Sequence, residues 1–444
     1  MVRAEPVRLI VQVHWDAEWH DAAVVTVSDP SKGLRSPMRL SYRPEYVARA
    51  LDDVGWPEDQ VLGGAYALGV NLPVRFDATY EDGVVAAVLR DIIPQGYGRR
   101  RMLAVMGYCR DPGPKADMPL MLRGSAAPVG HLRIKLAAEA FAAALEPGGP
   151  PRFTRADVAR LGERVIDEAL HAGVPIAAAL GAGGEAPKVL LVEDASGRYA
   201  LQGTIPEAQV HAHWLVKFPR GRQSADDMAV LRGEAAVHLA LEGLGLNTLP
   251  GAVLEERGSI PMLWLPRFDR AGTCNYGVES VYAAMGMIGD GAALNHLEVI
   301  QRFTGVVWGD VSLADYLLLD VVNTMIGNSD NHGRNVAMLK AGGSIMLAPY
   351  YDLAPMVLDP EGVSRTTRWR GDCVWDEGMP AYEQMLVRYA HDPCRAVGRF
   401  ATLLAALGDL EHRLGHFGAP ERMLRHPGVR LDVADRVAEA LDSG

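Results

Sequence analysis

The sequence predicts an α+β fold made of a mixed α/β N-terminal region, a small antiparallel sheet and a mostly helical C-terminal region. Three observations carry this reading. Strand-like and helix-like segments alternate before a Pro/Gly-rich linker at residues 146–152, "EPGGPPR". Three short strand patterns then succeed one another, and helical spacing dominates from residue 277 onward. The boundaries drawn from these shifts are 1–150, 151–270 and 271–444.

In the first region "VRLIVQVHW", "AAVVTV" and "MRLSYRP" read as strands, while "YVARALDDV", "GVVAAVLRDII" and the Ala-rich "IKLAAEAFAAAL" read as helices. After the linker, Thr154 caps a helix with Asp157 three residues on, and Val158, Leu161, Val165 and Ile166 continue the helical repeat. "KVLLVEDASGRYALQG" is two strands around an Ala-Ser-Gly turn, and "HWLVKF" is a third. "DDMAVLRGEAAVHLALEGLGL" is a helix ending at glycine, and "MLWLPRFDR" is another strand. Ser312 with Asp315 reads as a capping pair ahead of "LADYLLLDVVNTMI", which is apolar nearly all round and therefore expected to be buried.

Composition narrows the function classes. The 444 residues are 49% hydrophobic and 22% charged, ordinary values for a globular protein. Lys+Arg number 44 and Asp+Glu 55, so the formal charge of −11 disfavours nucleic acid and anionic membranes as partners. Cys109, Cys274, Cys373 and Cys394 form no C-x-x-C pair, which argues against a zinc ribbon and a disulfide scaffold. With no signal-peptide pattern and no run near the ~20 apolar residues of a membrane helix, a cytoplasmic protein is expected.

The stretch "MIGNSDNHGRNVAML", residues 325–339, sets polar side chains between two apolar arms. Asx residues favour turns, so a plain connecting loop is one reading. Asp330 and Asn335 are also spaced D-x-x-x-x-N, as in a kinase catalytic loop, where the Asp takes the acceptor's proton and the Asn holds magnesium. Three residues stand in the order that chemistry requires. Lys217 lies on the apolar strand "LVKF", Glu234 lies on the next helix where it is able to pair with that lysine, and Asp352 in "APYYDLAP" comes after a strand as a second metal-binding carboxylate. Each has an ordinary structural reading as well: an edge-strand lysine, a solvated glutamate, a turn aspartate.

With these residues placed, the chain resembles the HipA family of bacterial type II toxin-antitoxin serine/threonine kinases. "IGNSDNHGRNVAML" is similar to the family's I-G-N-x-D-x-H-x-x-N stretch, "APYYDLAP" to its A-P-x-Y-D segment, "LWLPRFDR" to its E-R-F-D-R hinge, and "RGEAAVHLALEGLGL" to its N-E helix. "PLMLRGSAAPVGHLRI" and "RDIIPQGYGRRRML" resemble N-terminal elements of the family more loosely. The resemblance implies a protein-kinase-like (HipA-like) fold using ATP and Mg2+. It implies Lys217 at the phosphates, Asp330 as catalytic base, Asn335 and Asp352 on magnesium, and Phe268 presenting hinge backbone to adenine. His332 matches the pattern too, in a role within its own loop. It further implies a protein substrate and a HipB-like antitoxin or repressor partner, with no direct DNA binding expected.

Two departures bear on activity. The family's ATP-loop motif S-x-x-G-x-x-x-K is similar to "GAGGEAPK", with Gly184 and Lys188 matching, but Gly181 replaces the serine that is autophosphorylated in the family, and residues 173–195 hold no Ser or Thr. Self-inactivation by loop phosphorylation is therefore expected to be absent; a phosphate mapped to this segment would refute that. The hinge glutamate is Pro266 here, which removes a backbone donor and an anionic acceptor near adenine.

Other readings stay in view. "HAHW" places His211 and His213 on one strand face, read as an exposed strand edge because no third metal ligand is near. "SRTTRWRGD", residues 364–372, is a basic aromatic stretch suited to an acidic or nucleic-acid-bound substrate, or to a solvated loop. Besides a protein kinase, the sequence admits a small-molecule kinase, although such families usually carry His where Asn328 stands. It also admits a degenerate kinase acting as a nucleotide- or repressor-binding module.

Overall fold

The computed structural model describes residues 5–145, 149–171, 183–257, 260–289, 291–371, 373, 375–376 and 378–443. Part of the 146–152 linker and Gly181 of the ATP-loop motif lie outside the described residues. The chain divides into two compact units. Unit 1 comprises Met1–Phe218, Pro266–Ile288 and Leu339–Ser344, and unit 2 comprises Pro219–Leu265, Gly289–Met338 and Ile345–Gly444.

Unit 1 begins with an antiparallel sheet in the order β4-β3-β2-β1-β5, formed by β1 (Val7–Trp15), β2 (Glu18–Val27), β3 (Met38–Tyr42), β4 (Thr79–Glu81) and β5 (Leu132–Ile134). Alternation along β1 sends Leu9, Val11 and Val13 into the core, as the period of two requires. Asp16 and Ala17, both at positive φ, turn β1 into β2. Helix α1 (Pro44–Val54) starts with proline at its first position and ends at Gly55 in the left-handed conformation. Helices α2 (Gly83–Ile92), α3 (Gly96–Val105), α4 (Asp117–Gly124) and α5 (Lys135–Ala144) complete this region.

The Thr154/Asp157 capping box opens α6 (Arg155–Leu161). The expected continuous helix does not form: Gly162 takes φ +59°, one tight turn intervenes, and α7 (Val165–His171) restarts the helix. Next, β6 (Lys188–Asp194) pairs antiparallel with β7 (Tyr199–Leu201) and with β8 (Val210–Lys217), which is the small sheet expected from the pattern.

In unit 2, a Ser224/Asp227 capping box opens α8 (Ala225–Gly243), and β9 (Val253–Arg257) pairs antiparallel with β10 (Ile260–Pro266). The helix Asp310–Met325 is buried on nearly all faces. Its first turn differs from the sequence reading. The N-cap is Gly309, so Ser312 and Asp315 lie inside the helix rather than capping it. Their polar atoms are used across the fold: Ser312 Oγ accepts from Leu347 N at 3.2 Å, and Asp315 accepts from Arg399 at 2.8 Å. The helix Pro393–Ala406 packs against this buried helix, burying Phe400 and Leu404. No helix among the described residues is long and apolar enough to cross a membrane, and no disulfide joins the four cysteines.

Candidate functional site

The polar loop leaves the buried helix through Gly327 at φ +68°, a conformation that favours glycine. A Cβ there would lie 2.6 Å from Val357 Cγ2 and 3.0 Å from Gly428 O, so only glycine lets the chain turn in this space. Asn328 organises the rest of the loop. Its buried side chain donates from Nδ2 to Asn323 Oδ1 at 2.8 Å and to Asp352 O at 3.3 Å, while its Oδ1 accepts from Asp330 N at 3.0 Å. One amide thereby ties the Asp330 loop to the Asp352 segment. The turn preference of Asn is visible in the sequence, but the bridging role depends on Asp352, 24 positions away, and local spacing carries no sign of it.

Asn335 Nδ2 donates to Asp330 O at 2.7 Å, and Asn335 N donates to His332 O at 2.9 Å, closing the loop on itself. His332 Nδ1 accepts from Arg334 N at 3.2 Å, which leaves Nε2 as the protonated nitrogen of the neutral ring, 3.6 Å from Asp330 Oδ1. Tyr351 OH donates to Arg334 O at 2.6 Å, bracing the loop from the Asp352 side. Asp352 has φ +59°, a strained backbone for a non-glycine residue. Strain of this kind persists where surrounding structure over-determines it, commonly at functional sites.

Glu234 is buried on α8, with His238 Nε2 3.9 Å from its Oε1 and His238 Nδ1 3.0 Å from Thr248 Oγ1. The preceding Gly233 brings α8 close to the Asp352 segment: a Cβ there would sit 2.5 Å from Pro355 Cγ. Unit 2 thus assembles Asp330, His332, Asn335 and Asp352 around one hydrogen-bonded loop and packs the Glu234 helix against the same segment.

Unit 1 holds the predicted cationic residues. Lys188 on β6 and Lys217 on β8 are direct cross-strand partners. They are only 6% and 4% exposed. The register thus brings two ammonium-bearing side chains together on one face of adjacent strands. Lys188 Nζ donates to Gly183 O at 2.6 Å. Gly184 takes φ +99°, and a Cβ on it would lie 2.7 Å from Lys188 Nζ, so the glycine is what admits the lysine head. Gly184 O accepts from Tyr97 N at 3.0 Å, and Arg100 of α3 pairs with Glu185, which holds the described end of the ATP-loop motif on the N-terminal region.

Phe268 is half-buried in "PRFDR". Around it Arg267 donates from Nε to Asp269 Oδ1 at 2.9 Å, Arg270 Nη1 donates to Asp269 Oδ2 at 2.6 Å, and Gly130 N donates to the same oxygen at 2.7 Å. Burial by itself raises the Asp269 carboxyl, but Arg267 and Arg270 override it and hold it well below the usual range. Arg267 N donates to His213 O at 3.0 Å, locking the hinge-like corner to β8.

His213 is not the exposed edge residue expected from "HAHW". His211 is exposed, but the His213 side chain is buried, with Nδ1 3.2 Å from Gln202 Oε1 and Nε2 3.5 Å from Glu207. Burial, then Arg267 and Arg270, lower its pKa to about 3, and burial with Arg270 and Arg133 lowers His14 to about 4. Both bind protons more readily unfolded than folded. Their stabilising effect is complete above the unfolded value of ~6.5 and is lost as pH falls toward the folded values. The melting temperature therefore drops between pH 7 and pH 5, and His213→Gln flattens that dependence. An unchanged slope in the variant would remove His213 as a cause.

Residues 180–395 match the family model for the HipA-like C-terminal domain. Among solved structures, HipA of Shewanella oneidensis MR-1, solved as a toxin–antitoxin complex of HipA, HipB and operator DNA, superposes with a TM-score of 0.59 at 13% identity, covering 98% of this chain and 97% of that one. The kinase CtkA of Helicobacter pylori, described as proinflammatory, gives a TM-score of 0.35 at 15% identity over 58% of this chain and 93% of its own. No curated protein matches the chain. The fold is that of HipA. Residues 180–395 are thus similar to the HipA-like C-terminal domain.

Proposed function

We propose that this chain is an ATP- and magnesium-dependent serine/threonine protein kinase that transfers the γ-phosphate to a hydroxyl on a cellular protein. The observation that carries the reading is the closed loop in which Asn335 supports the Asp330 backbone while Asn328 joins Asp330 to the strained Asp352. The Asp330 carboxylate takes the acceptor hydroxyl's proton. The acceptor oxygen bonds to the γ-phosphorus as its bond to the β–γ bridging oxygen breaks, and ADP leaves. In unit 1, Lys188 and Lys217 hold phosphate oxygens, Gly184 lets the loop backbone close on them, and Phe268 offers hinge backbone to adenine. In unit 2, Glu234 is the buried carboxylate of α8.

Asn335 and Asp352 fit magnesium. Both bring oxygen donors, and magnesium is usually held by one or two carboxylates together with substrate phosphates. When bound it neutralises phosphate charge.

The HipA neighbour's complex supports a HipB-like partner for this chain. It also weakens the argument against DNA based on this chain's net charge of −11, since that HipA was solved in a complex containing operator DNA.

The test is transfer of labelled γ-phosphate from Mg-ATP into a bacterial lysate, with phosphopeptide mapping of the products. Labelled serine or threonine in a lysate protein, with none in residues 173–195 of the chain, is the expected result. Label confined to small molecules would instead establish a metabolite kinase. Nucleotide binding without transfer would establish a binding module.

A further inference from the structure

Residues 364–370, "SRTTRWR", lie in unit 2 beyond Asp352 and run as an extended segment whose alternate residues have different fates. Arg365 lies with Nη1 3.4 Å from Asp320 Oδ1 and donates from Nη2 to Thr324 Oγ1 at 3.2 Å. Thr367 is buried. Trp369 donates from Nε1 to Asp320 Oδ2 at 2.8 Å and stacks on His296 with ring centroids 4.8 Å apart. Residues 365 and 369 therefore anchor the segment to a buried carboxylate that also accepts from Tyr382 OH at 2.9 Å, and residue 367 is buried between them.

The backbone is held as firmly as the side chains. Thr367 and Arg368 pair in parallel with Leu294 and Asn295, and the Asn295 side chain bonds both Arg370 N and Arg370 O at 3.3 Å. Asn331, the residue after Asp330, donates from Nδ2 to Thr367 O at 3.3 Å, so the segment is tied directly to the candidate catalytic loop.

The period of two that turns 365, 367 and 369 inward turns Arg368 and Arg370 outward. Both are exposed, and among the described residues neither has an ion pair. Resting on the kinase reading, we propose that this segment is the acceptor platform: Arg368 and Arg370 bind carboxylates that flank the hydroxyl of an acidic peptide segment in the protein substrate. Arginine suits the task because its planar fork binds carboxylate bidentately. Two cations at strand spacing, about 7 Å apart, match a pair of acidic side chains. A polynucleotide requires a longer basic track than this segment offers.

The experiment uses the full chain without nucleotide, so that it reads binding apart from phosphate transfer. Fluorescein-labelled serine peptides, identical except for Glu or Lys on both sides of the serine, are titrated by anisotropy at low and physiological salt. The Glu peptide binds about tenfold tighter, and salt narrows the difference. Arg368→Glu/Arg370→Glu reverses the preference, whereas Arg368→Lys/Arg370→Lys keeps part of it. Circular dichroism melts establish that the variants fold, as expected for exposed positions. Equal binding of the two peptides, or a preference untouched by the double Glu variant, overturns the proposal. So does tighter binding of a single-stranded oligonucleotide that the same variant abolishes. A charge preference without phosphate transfer in the lysate assay would defeat only the kinase reading. Transfer without a charge preference would defeat only the platform.

Discussion

Replacing Asp330 with Asn lowers the rate of γ-phosphate transfer by about 10²- to 10⁴-fold while nucleotide binding is retained. The substitution is informative because the loop holds Asp330 by its backbone: Asp330 N donates to Asn328, and Asp330 O accepts from Asn335. Both bonds survive a change of side chain. The amide matches the carboxylate in shape, and His332 Nε2, 3.6 Å from the Asp330 carboxylate, still finds an oxygen there. What the amide lacks is the basicity to take the hydroxyl proton. Single-turnover transfer measured alongside nucleotide titration separates the chemistry from binding. Wild-type transfer in the variant would sink the base assignment.

Asp269→Ala is the largest stability loss we expect, about 3–5 kcal/mol. Asp269 is buried between two guanidinium groups, themselves only 3% exposed, and accepts from Arg267, Arg270 and the Gly130 backbone. Removing the carboxylate leaves Arg267 and Arg270 desolvated and facing like charge. The depressed Asp269 pKa has a matching pH signature: its stabilising effect is whole above the unfolded carboxylate value of ~3.9 and is lost as pH falls below it. Urea titration at neutral pH measures the loss. A change under about 1 kcal/mol would mean that water or rearrangement satisfies the arginines, and the cluster would then not be what holds this corner. Arg267→Met/Asp269→Leu recovers only part of the stability, because Arg270 keeps its buried charge without the carboxylate.

Much of the chain was legible from local pattern. The Thr154/Asp157 capping box forms as its spacing implies, Leu9, Val11 and Val13 of β1 are buried on one face, and the helix leading to the polar loop is buried on nearly every face. The misread positions share a cause. Ser312 and Asp315 have the letters of a cap, but the helix begins at Asp310 because the chain needs their polar atoms at Leu347 and Arg399. Gly162 breaks a helix whose apolar repeat runs straight through it, since a backbone angle leaves no trace in a hydrophobic pattern. His213 has the look of a strand edge until Arg267 and Gln202 fold over it.

The same division runs through the candidate site. Sequence alone determined which residue types stand at which spacing, so Asp330, Asn335, Asp352 and the lysine strand could be named from order and chemistry. Tertiary structure decided that Lys188 faces Lys217, that Asn328 joins two segments, and that Asp320 gathers Arg365, Trp369 and Tyr382. Helical and strand periods are local properties of a few consecutive residues. Register and burial are set by partners far along the chain, and only the folded packing brings those partners together.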